Sequence, residues 1–285
     1  MNEVFSAEEQ RCTVEDLMES DLAHTRVSEV NHTFGPLCLG NPPMLSRIIA
    51  ILAAVIFIKI VPNADAQSVQ HQAVNWFTYF AHYRLSRHWG MHLDIQFRMD
   101  AQAQRANQTL LRPGLQYLLS PNTNLTLGYA LIGNSSPNGY FSEHRLWQQY
   151  LHTARWGSGH SMTHRLRLEE RWAAYSDGRR GWREGLRFRY FNRTIFNLSK
   201  NPSRHVKPYF ALQNEVFINT AARQLNPNFF DQNRLLLAIG VLHNGHTRLE
   251  LGYMNQYINP IGNVDIINHV LHFSILQVLD FYPSE

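Results

Sequence analysis

Downstream of residue 67 the chain alternates apolar and polar side chains with a period of two. In Met91-His92-Leu93-Asp94-Ile95-Gln96-Phe97-Arg98-Met99 every odd position is apolar and every even one polar. Successive side chains of a strand point to opposite faces, so such a segment meets an apolar medium on one side and water on the other. A helix, with a period near 3.6, would scatter the same residues around its axis. The pattern returns in Thr163 to Trp172, where Leu166, Leu168 and Trp172 oppose Arg165, Arg167, Glu169 and Arg171, with Glu170 as the exception. It returns again in Trp182 to Tyr190, where Trp182, Leu186, Phe188 and Tyr190 oppose Arg183, Arg187 and Arg189. In Thr247 to Tyr257, Leu249, Leu251 and Tyr253 oppose Arg248 and Glu250.

The alternation predicts strands at 74–85, 89–99, 109–119, 123–132, 142–155, 160–175, 181–195, 205–219, 231–243, 245–258 and 266–279. Tight turns are expected at Ser86-Arg87-His88, Ser120-Pro121-Asn122, Trp156-Gly157-Ser158-Gly159 and Asn244-Gly245. Longer loops are expected at 100–108, 133–141, 220–230 and 259–265; the 196–204 connection departs from this alternation of short and long. Tilted strands that cross a bilayer take about 9–11 residues, and short turns on one side with longer loops on the other are the habit of outer-membrane barrels. Tyrosines and tryptophans such as Tyr83, Trp89, Tyr117, Trp156, Trp182 and Tyr257 fall near strand ends, where interfacial rings belong. The expected fold is therefore all-β: an antiparallel up-and-down transmembrane β-barrel. Eleven segments are counted, but even numbers close an up-and-down ring, so about 12 strands are expected, with ten as the fallback. Residues 67–73, or a second strand within 142–155, would supply the missing one. An open sheet would leave unpaired edge groups in lipid at several kcal/mol each.

The targeting signal lies inside the chain. Met44 followed by Arg47, the small-and-apolar run Ile48 to Ile58, and Ala64-Asp65-Ala66 before Gln67 together read as a secretory signal peptide cleaved between Ala66 and Gln67. The apolar run is about half the ~20 residues that a spanning helix needs. Residues 1–43 are acidic and aperiodic and hold both cysteines, Cys12 and Cys38; they read as an over-extended start, and a cytoplasmic extension on a signal anchor is the alternative. The organisation expected is 1–43 extension, 44–66 signal peptide, and 67–285 a single barrel domain. The expected location is the outer membrane of a Gram-negative bacterium, with outer-membrane lipid and the barrel assembly machinery as partners.

Removing the upstream segments changes the charge. Residues 67–285 carry 22 basic and 13 acidic residues, a net charge of +9 over 219 residues, and only Lys200 and Lys207 are lysines. Without cysteine the domain has no disulfides to rely on. If the apolar faces meet lipid, the polar faces turn inward. The lumen-facing candidates are then Arg98, Arg145, Arg165, Arg167, Glu169, Arg171, Arg187, Arg189, Glu215, Arg234, Arg248 and Glu250, with Arg84, Arg112, Arg183, Asp94 and Glu143 on the same logic.

A positive lumen suits a small anion-favouring pore, since focused potential concentrates anions; the same residues also suit a structural barrel filled with arginine–carboxylate ladders. One alternative is an outer-membrane lipid-modifying enzyme, for which His272 and Ser274 on one strand face, with Glu143, are the available groups, although no G-x-S-x-G pattern occurs. Others are a soluble periplasmic β-barrel binding protein, or a scaffold whose loops hold lipopolysaccharide phosphates or a partner protein. His160 with His164, and His243 with His246, lack the further ligands of a metal site, so no metal is expected. No phosphate-cradling glycine motif is present and no cofactor is expected; arginines spread singly over strands, with an export signal, argue against nucleic acid.

Several segments also resemble a known family. Phe230-Asp231-Gln232-Asn233-Arg234 and Leu249-Glu250-Leu251-Gly252-Tyr253-Met254-Asn255-Gln256 are similar to the C-terminal half of exported bacterial proteins grouped as domain of unknown function 2490. Leu111-Arg112-Pro113-Gly114, Glu143-His144-Arg145-Leu146-Trp147 and His164-Arg165-Leu166-Arg167-Leu168-Glu169-Glu170-Arg171 resemble its other recurring segments in the same order. The resemblance reaches over residues 73–275. It implies an outer-membrane-type β-barrel and assigns no activity. Barrels of this type usually end on an aromatic residue, whereas here Phe281-Tyr282 is followed by Pro283-Ser284-Glu285.

Overall fold

The computed structural model describes residues 68–282, apart from 137–138, 158, 178, 200–204 and 222–223. The segments 1–43 and 44–66, and the Ala66/Gln67 cleavage position, lie outside the described residues. Eleven strands follow one another: β1 Ser68–Arg84, β2 Trp89–Asp100, β3 Ala106–Ser120, β4 Thr123–Ser136, β5 Gly139–Trp156, β6 His160–Ala174, β7 Trp182–Asn197, β8 Val206–Ala221, β9 Phe230–His243, β10 Thr247–Ile258 and β11 Val264–Asp280.

Each strand pairs antiparallel with the next, and β1 pairs in parallel with β11, which closes the ring. The eleven segments read from the alternation are the eleven strands. About twelve were expected from even closure; the ring instead closes at eleven because a parallel ladder satisfies the two free edges as completely as an antiparallel one. The seam runs in unbroken register from Ser68↔Val264 to Arg84↔Asp280. Residues 68–73 extend β1 instead of forming a strand of their own, and 139–156 is one strand, so neither proposed source of a twelfth exists. The loop expected at 133–141 is mostly strand, because β4 runs on to Ser136 and β5 begins at Gly139.

The connections after β1, β3, β5, β7 and β9 lie at one end of the barrel, here called the turn end; those after β2, β4, β6, β8 and β10 lie at the loop end. Asn244-Gly245 makes a tight turn-end hairpin, with φ of +48° and +74° at the two residues. Two consecutive positive φ values are what a type I′ turn requires, and its twist matches that of the flanking strands.

Side chains sort by parity along the strands, apart from irregularities such as the register shift between β8 and β9. On β10, Leu249, Leu251 and Tyr253 are exposed while Glu250, Gly252 and Met254 are buried. On β4, Leu125, Leu127, Tyr129 and Leu131 face out and Thr126, Gly128, Ala130 and Ile132 face in. The outside is thus the greasy face: Ile239 is 65% exposed and Leu251 48%. The inside is polar: Glu169 is 1% exposed and Arg167 2%. Two apolar clusters interrupt this interior. One gathers Trp76, Tyr209, Leu236, Met254 and Val270 from five strands, and the other sets Trp147 against Leu110, Ala130 and Ile132. The Trp147 indole lies over the backbone of β3 and β4: a Cβ placed on Gly128 would fall 2.1 Å from the ring, and one on Gly114 2.8 Å from it. Only glycine at those positions lets the ring lie against the wall.

Candidate functional site

The inward parity of β5 to β9 brings arginines and carboxylates from separate strands into one interior. Glu169 on β6 is the hub. Arg187 donates to its Oε2 at 2.7 Å and Arg189 donates to Oε1, while Arg145 and Arg167 approach at 3.6 and 3.8 Å. Glu215 on β8 accepts from Arg165 at 2.5 Å and Arg189 at 2.6 Å, with Arg234 at 3.8 Å. Glu143 on β5 accepts from Arg145 at 2.8 Å and Arg171 at 2.6 Å. Arg187 reaches two strands further to Asp231 at 2.8 Å, and Arg112 pairs with Asp94 at 2.6 Å. Contacts that skip strands are chords across the ring, so these groups brace it from within. Charge-assisted pairs of this kind are stronger than neutral hydrogen bonds, and at full burial the loss of one partner is costly.

Several guanidinium groups also lie flat on aromatic rings. Arg98 sits 3.8 Å above Trp76, and Arg167 sits 4.2 Å above Trp147 while donating from Nε and Nη2 to Gln149 Oε1. Arg234 lies over both Trp76 and Phe217, at 5.0 and 4.5 Å. Stacking of this kind suits guanidinium, which is planar and weakly hydrated, better than ammonium. Trp147, Arg167, Phe217, Leu236, Glu169 and Val270 are each under 2% exposed and fill the barrel at mid-height.

Above that filling, toward the loop end, a cavity of about 440 Å³ opens, lined by eight arginines and one carboxylate, Glu143, with Val74, Trp76, Phe141 and Ile258 on its apolar walls. A second cavity of about 400 Å³ shares Arg171, Arg187, Leu225, Gln232 and Ile258 with it and adds the carboxylate Asp231 from β9 and Asn226, Pro260 and Ile261 from the loops. The shared residues make the two one vestibule. Ten arginines (98, 112, 145, 165, 167, 171, 183, 187, 189 and 234) meet five carboxylates (94, 143, 169, 215 and 231) in and behind its walls, so five positive charges have no carboxylate counterpart among the described residues.

Of the residues singled out in the sequence, Arg98, Arg145, Arg165, Arg167, Glu169, Arg171, Arg187, Arg189, Glu215 and Arg234 are drawn into this assembly. Glu250 stands apart: it accepts from Arg193, from Tyr209 Oη at 2.7 Å and from Ser274 Oγ at 3.1 Å. Arg248, two residues earlier on β10, joins no ion pair among the described residues. Arg84, expected inside, sits on the turn-end rim, pairing with Asp280 at 3.3 Å with both side chains more than 40% exposed. It has the inward parity but lies at the last residue of β1, beyond the enclosed section.

Arg193, Asp231 and Trp76 were not singled out. Arg193 was legible, since it continues the parity of Arg187 and Arg189. Asp231 was not, because a register shift between β8 and β9 next to Phe217 and Ile218 turns both Asp231 and Gln232 inward. His272 and Ser274 do share an inward face, but the serine hydroxyl donates to Glu250 and His272 Nε2 lies 3.2 Å from Thr78 Oγ1, so they form no dyad. His160 and His164 are engaged separately, by the Asn197 amide and the Tyr190 hydroxyl. Among the described residues no group of three or more metal-ligating side chains converges.

A closed eleven-stranded β-barrel, apolar outside and cross-braced by ion pairs inside, is the class of protein that this fold and interior define. The chain belongs to the family described as "Protein of unknown function (DUF2490)", whose model matches residues 73–266. No curated protein and no solved structure matches it.

Proposed function

We propose that the chain is an integral barrel of a Gram-negative outer membrane, with a filled, ion-paired interior and a vestibule at its loop end. One observation carries this: leucine, isoleucine, phenylalanine and tyrosine cover the outside while arginine and glutamate fill the inside. In water that arrangement would forfeit the hydrophobic driving force and expose an apolar surface far beyond what soluble monomers carry. In lipid the same exterior is solvated and the closed ladder leaves no unpaired edge. Strands of 12 to 18 residues at ~3.3 Å per residue and ~40° tilt reach about 30–45 Å, which covers a ~25 Å apolar band and leaves both rims in water. Trp89, Tyr117 and Trp156 at the turn end and Trp182 at the loop end then sit where interfacial rings are favoured. The filled mid-section favours a structural or ligand-holding barrel over an open pore.

Export from Met44, signal cleavage and insertion by the assembly machinery belong to the same reading. The test is to express the chain from Met44, fractionate the cells, and compare gel migration before and after boiling. Sedimentation with outer membranes and a heat-dependent shift in mobility support the reading; a freely soluble periplasmic protein overturns it. Planar-bilayer recording of the purified barrel separates the filled interior from an open one, and steady anion conductance would refute the filled reading.

A further inference from the structure

The loop-end vestibule holds more positive charge than its own carboxylates answer. Two of its arginines are the least compensated. Among the described residues Arg98 donates only to the amide oxygens of Gln96 and Gln108, at 2.8 and 2.5 Å, and stacks on Trp76. Arg183 pairs with no carboxylate among the described residues and lies 5.5 Å from the Tyr175 ring. Five buried polar atoms of the lining find no partner among the described residues: Arg98 Nε, Arg112 Nε, Arg183 Nε, Asn134 Nδ2 and Asn268 Oδ1. Four of the five are donors. Buried donors without acceptors are rare in folded proteins, and four of them in the wall of one arginine-lined cavity mark a place that suits an acceptor from outside.

We infer that this vestibule binds a multivalent oxyanion, with phosphate groups as the chemistry it fits. The donors come from three neighbouring strands, β2, β3 and β4, and from β7 further round the ring, so they approach the cavity from more than one direction. A planar carboxylate accepts a guanidinium fork within one plane, whereas a phosphate offers oxygens in several directions and up to two charges. The cavity volume, about 440 Å³, is that of a small-molecule site, and the Trp76 face with Val74 and Ile258 can cover an apolar portion of the ligand. A small phosphorylated solute and a phosphorylated lipid headgroup share this chemistry. The inference stands on the interior geometry and not on the lipid setting, so a soluble barrel would overturn the proposed function and leave the titration below meaningful.

The experiment titrates the folded protein, started at Met44 and purified in a zwitterionic detergent, with sodium pyrophosphate in chloride buffer by isothermal calorimetry. Saturable binding of one pyrophosphate per chain is expected, with malonate much weaker at equal ionic strength. Arg98→Gln and Arg183→Gln should each weaken it about tenfold or more, the scale of one lost charge-assisted hydrogen bond. Arg155→Gln, on the exposed turn-end edge of β5, should leave it unchanged. If a phosphorylated lipid added to the micelles competes with pyrophosphate, the site reads headgroups; if it does not, the ligand is a free solute. Should the variants fail to fold, the wild-type protein decides alone, because a ligand of the folded state must raise its urea midpoint relative to the same ionic strength of chloride. No midpoint shift and no heat of binding at millimolar pyrophosphate overturns the inference, as does undiminished binding in folded Arg98→Gln, Arg183→Gln double-variant protein.

Discussion

Leu251→Arg separates a barrel in lipid from a barrel in water by the size of a single number. Leu251 lies on the outer face of β10, 48% exposed, directly opposite Phe273 on β11 and Ile239 on β9, both of them exposed apolar residues. Phe273 is close to the middle of the seventeen-residue β11, so the site is near mid-height. If that face meets hydrocarbon, an arginine there costs about 2–4 kcal/mol. If it meets water, an exposed substitution that breaks no packing stays within about 0.5 kcal/mol. With a urea m-value near the upper end of the usual range, about 3 kcal/mol per molar, the lipid case lowers the unfolding midpoint by roughly 1 M. The assay is urea titration of protein folded in phospholipid vesicles, followed by tryptophan fluorescence and by the heat-sensitive gel band. Leu119→Arg is the depth control: it is equally exposed but one residue from the turn-end terminus of β3, where the cost should fall to about 0–1 kcal/mol. A midpoint unchanged within about 0.2 M for Leu251→Arg, or equal shifts for the two variants, would refute the lipid assignment of this face.

Glu169→Gln should destabilise the barrel by about 3–5 kcal/mol in the same assay, because it leaves Arg187 and Arg189 without their shared carboxylate in a fully buried place; a shift below about 1 kcal/mol would mean that Glu215 and Asp231 suffice. Gly128→Ala puts a Cβ 2.1 Å from the Trp147 ring and should cost about 1–3 kcal/mol. Shortening the partner in Gly128→Ala, Trp147→Leu protein should make the combined loss smaller than the sum of the two single losses, and simple additivity would sink the packing argument. In a barrel free of other cysteines, Ser68→Cys and Asp280→Cys sit on opposite rims. A membrane-impermeant maleimide applied to intact cells should label only one of them, and labelling of both or neither would contradict the eleven-strand topology in the membrane.

Much of this fold was legible because period-two alternation is dictated by strand geometry, interrupted only locally by shifts such as the one beside Asp231: a strand in a wall with two unlike faces must sort its side chains. The eleven segments and the inward placement of Arg145, Arg167, Glu169 and Arg187 follow from parity alone. What parity could not supply was which inward residues touch. Arg187 to Asp231 and Arg165 to Glu215 skip a strand, and Trp76 meets Arg234 across the seam side of the ring; such chords depend on the curvature of the closed wall. Nor could parity separate the rim from the lumen, which is why Arg84, with the correct face, lies outside. The vestibule was invisible for a related reason: a cavity is a property of what the bulky residues leave unfilled, and the mid-height filling by Trp147 depends on two glycines, Gly114 and Gly128, on neighbouring strands.

The strand count exposes the limit of pattern reading most clearly. Alternation fixes which face each side chain takes, and a parallel pair presents the same two faces as an antiparallel one, so nothing in the hydrophobic pattern of β1 or β11 specifies the direction of their pairing. An even count was inferred from the habit of up-and-down rings, while physics demands only that both edges be satisfied. The β1–β11 ladder meets that demand over the full length of both strands. Its consequence is topological: Ser68 enters at the loop end and Asp280 leaves at the turn end. The vestibule therefore shares its rim with the start of β1, and Gln72 and Val74 in its wall come from that strand. Any change in how β1 seats against β11 would alter the mouth of the site, so the seam that closes the barrel also shapes the vestibule where the uncompensated arginines lie.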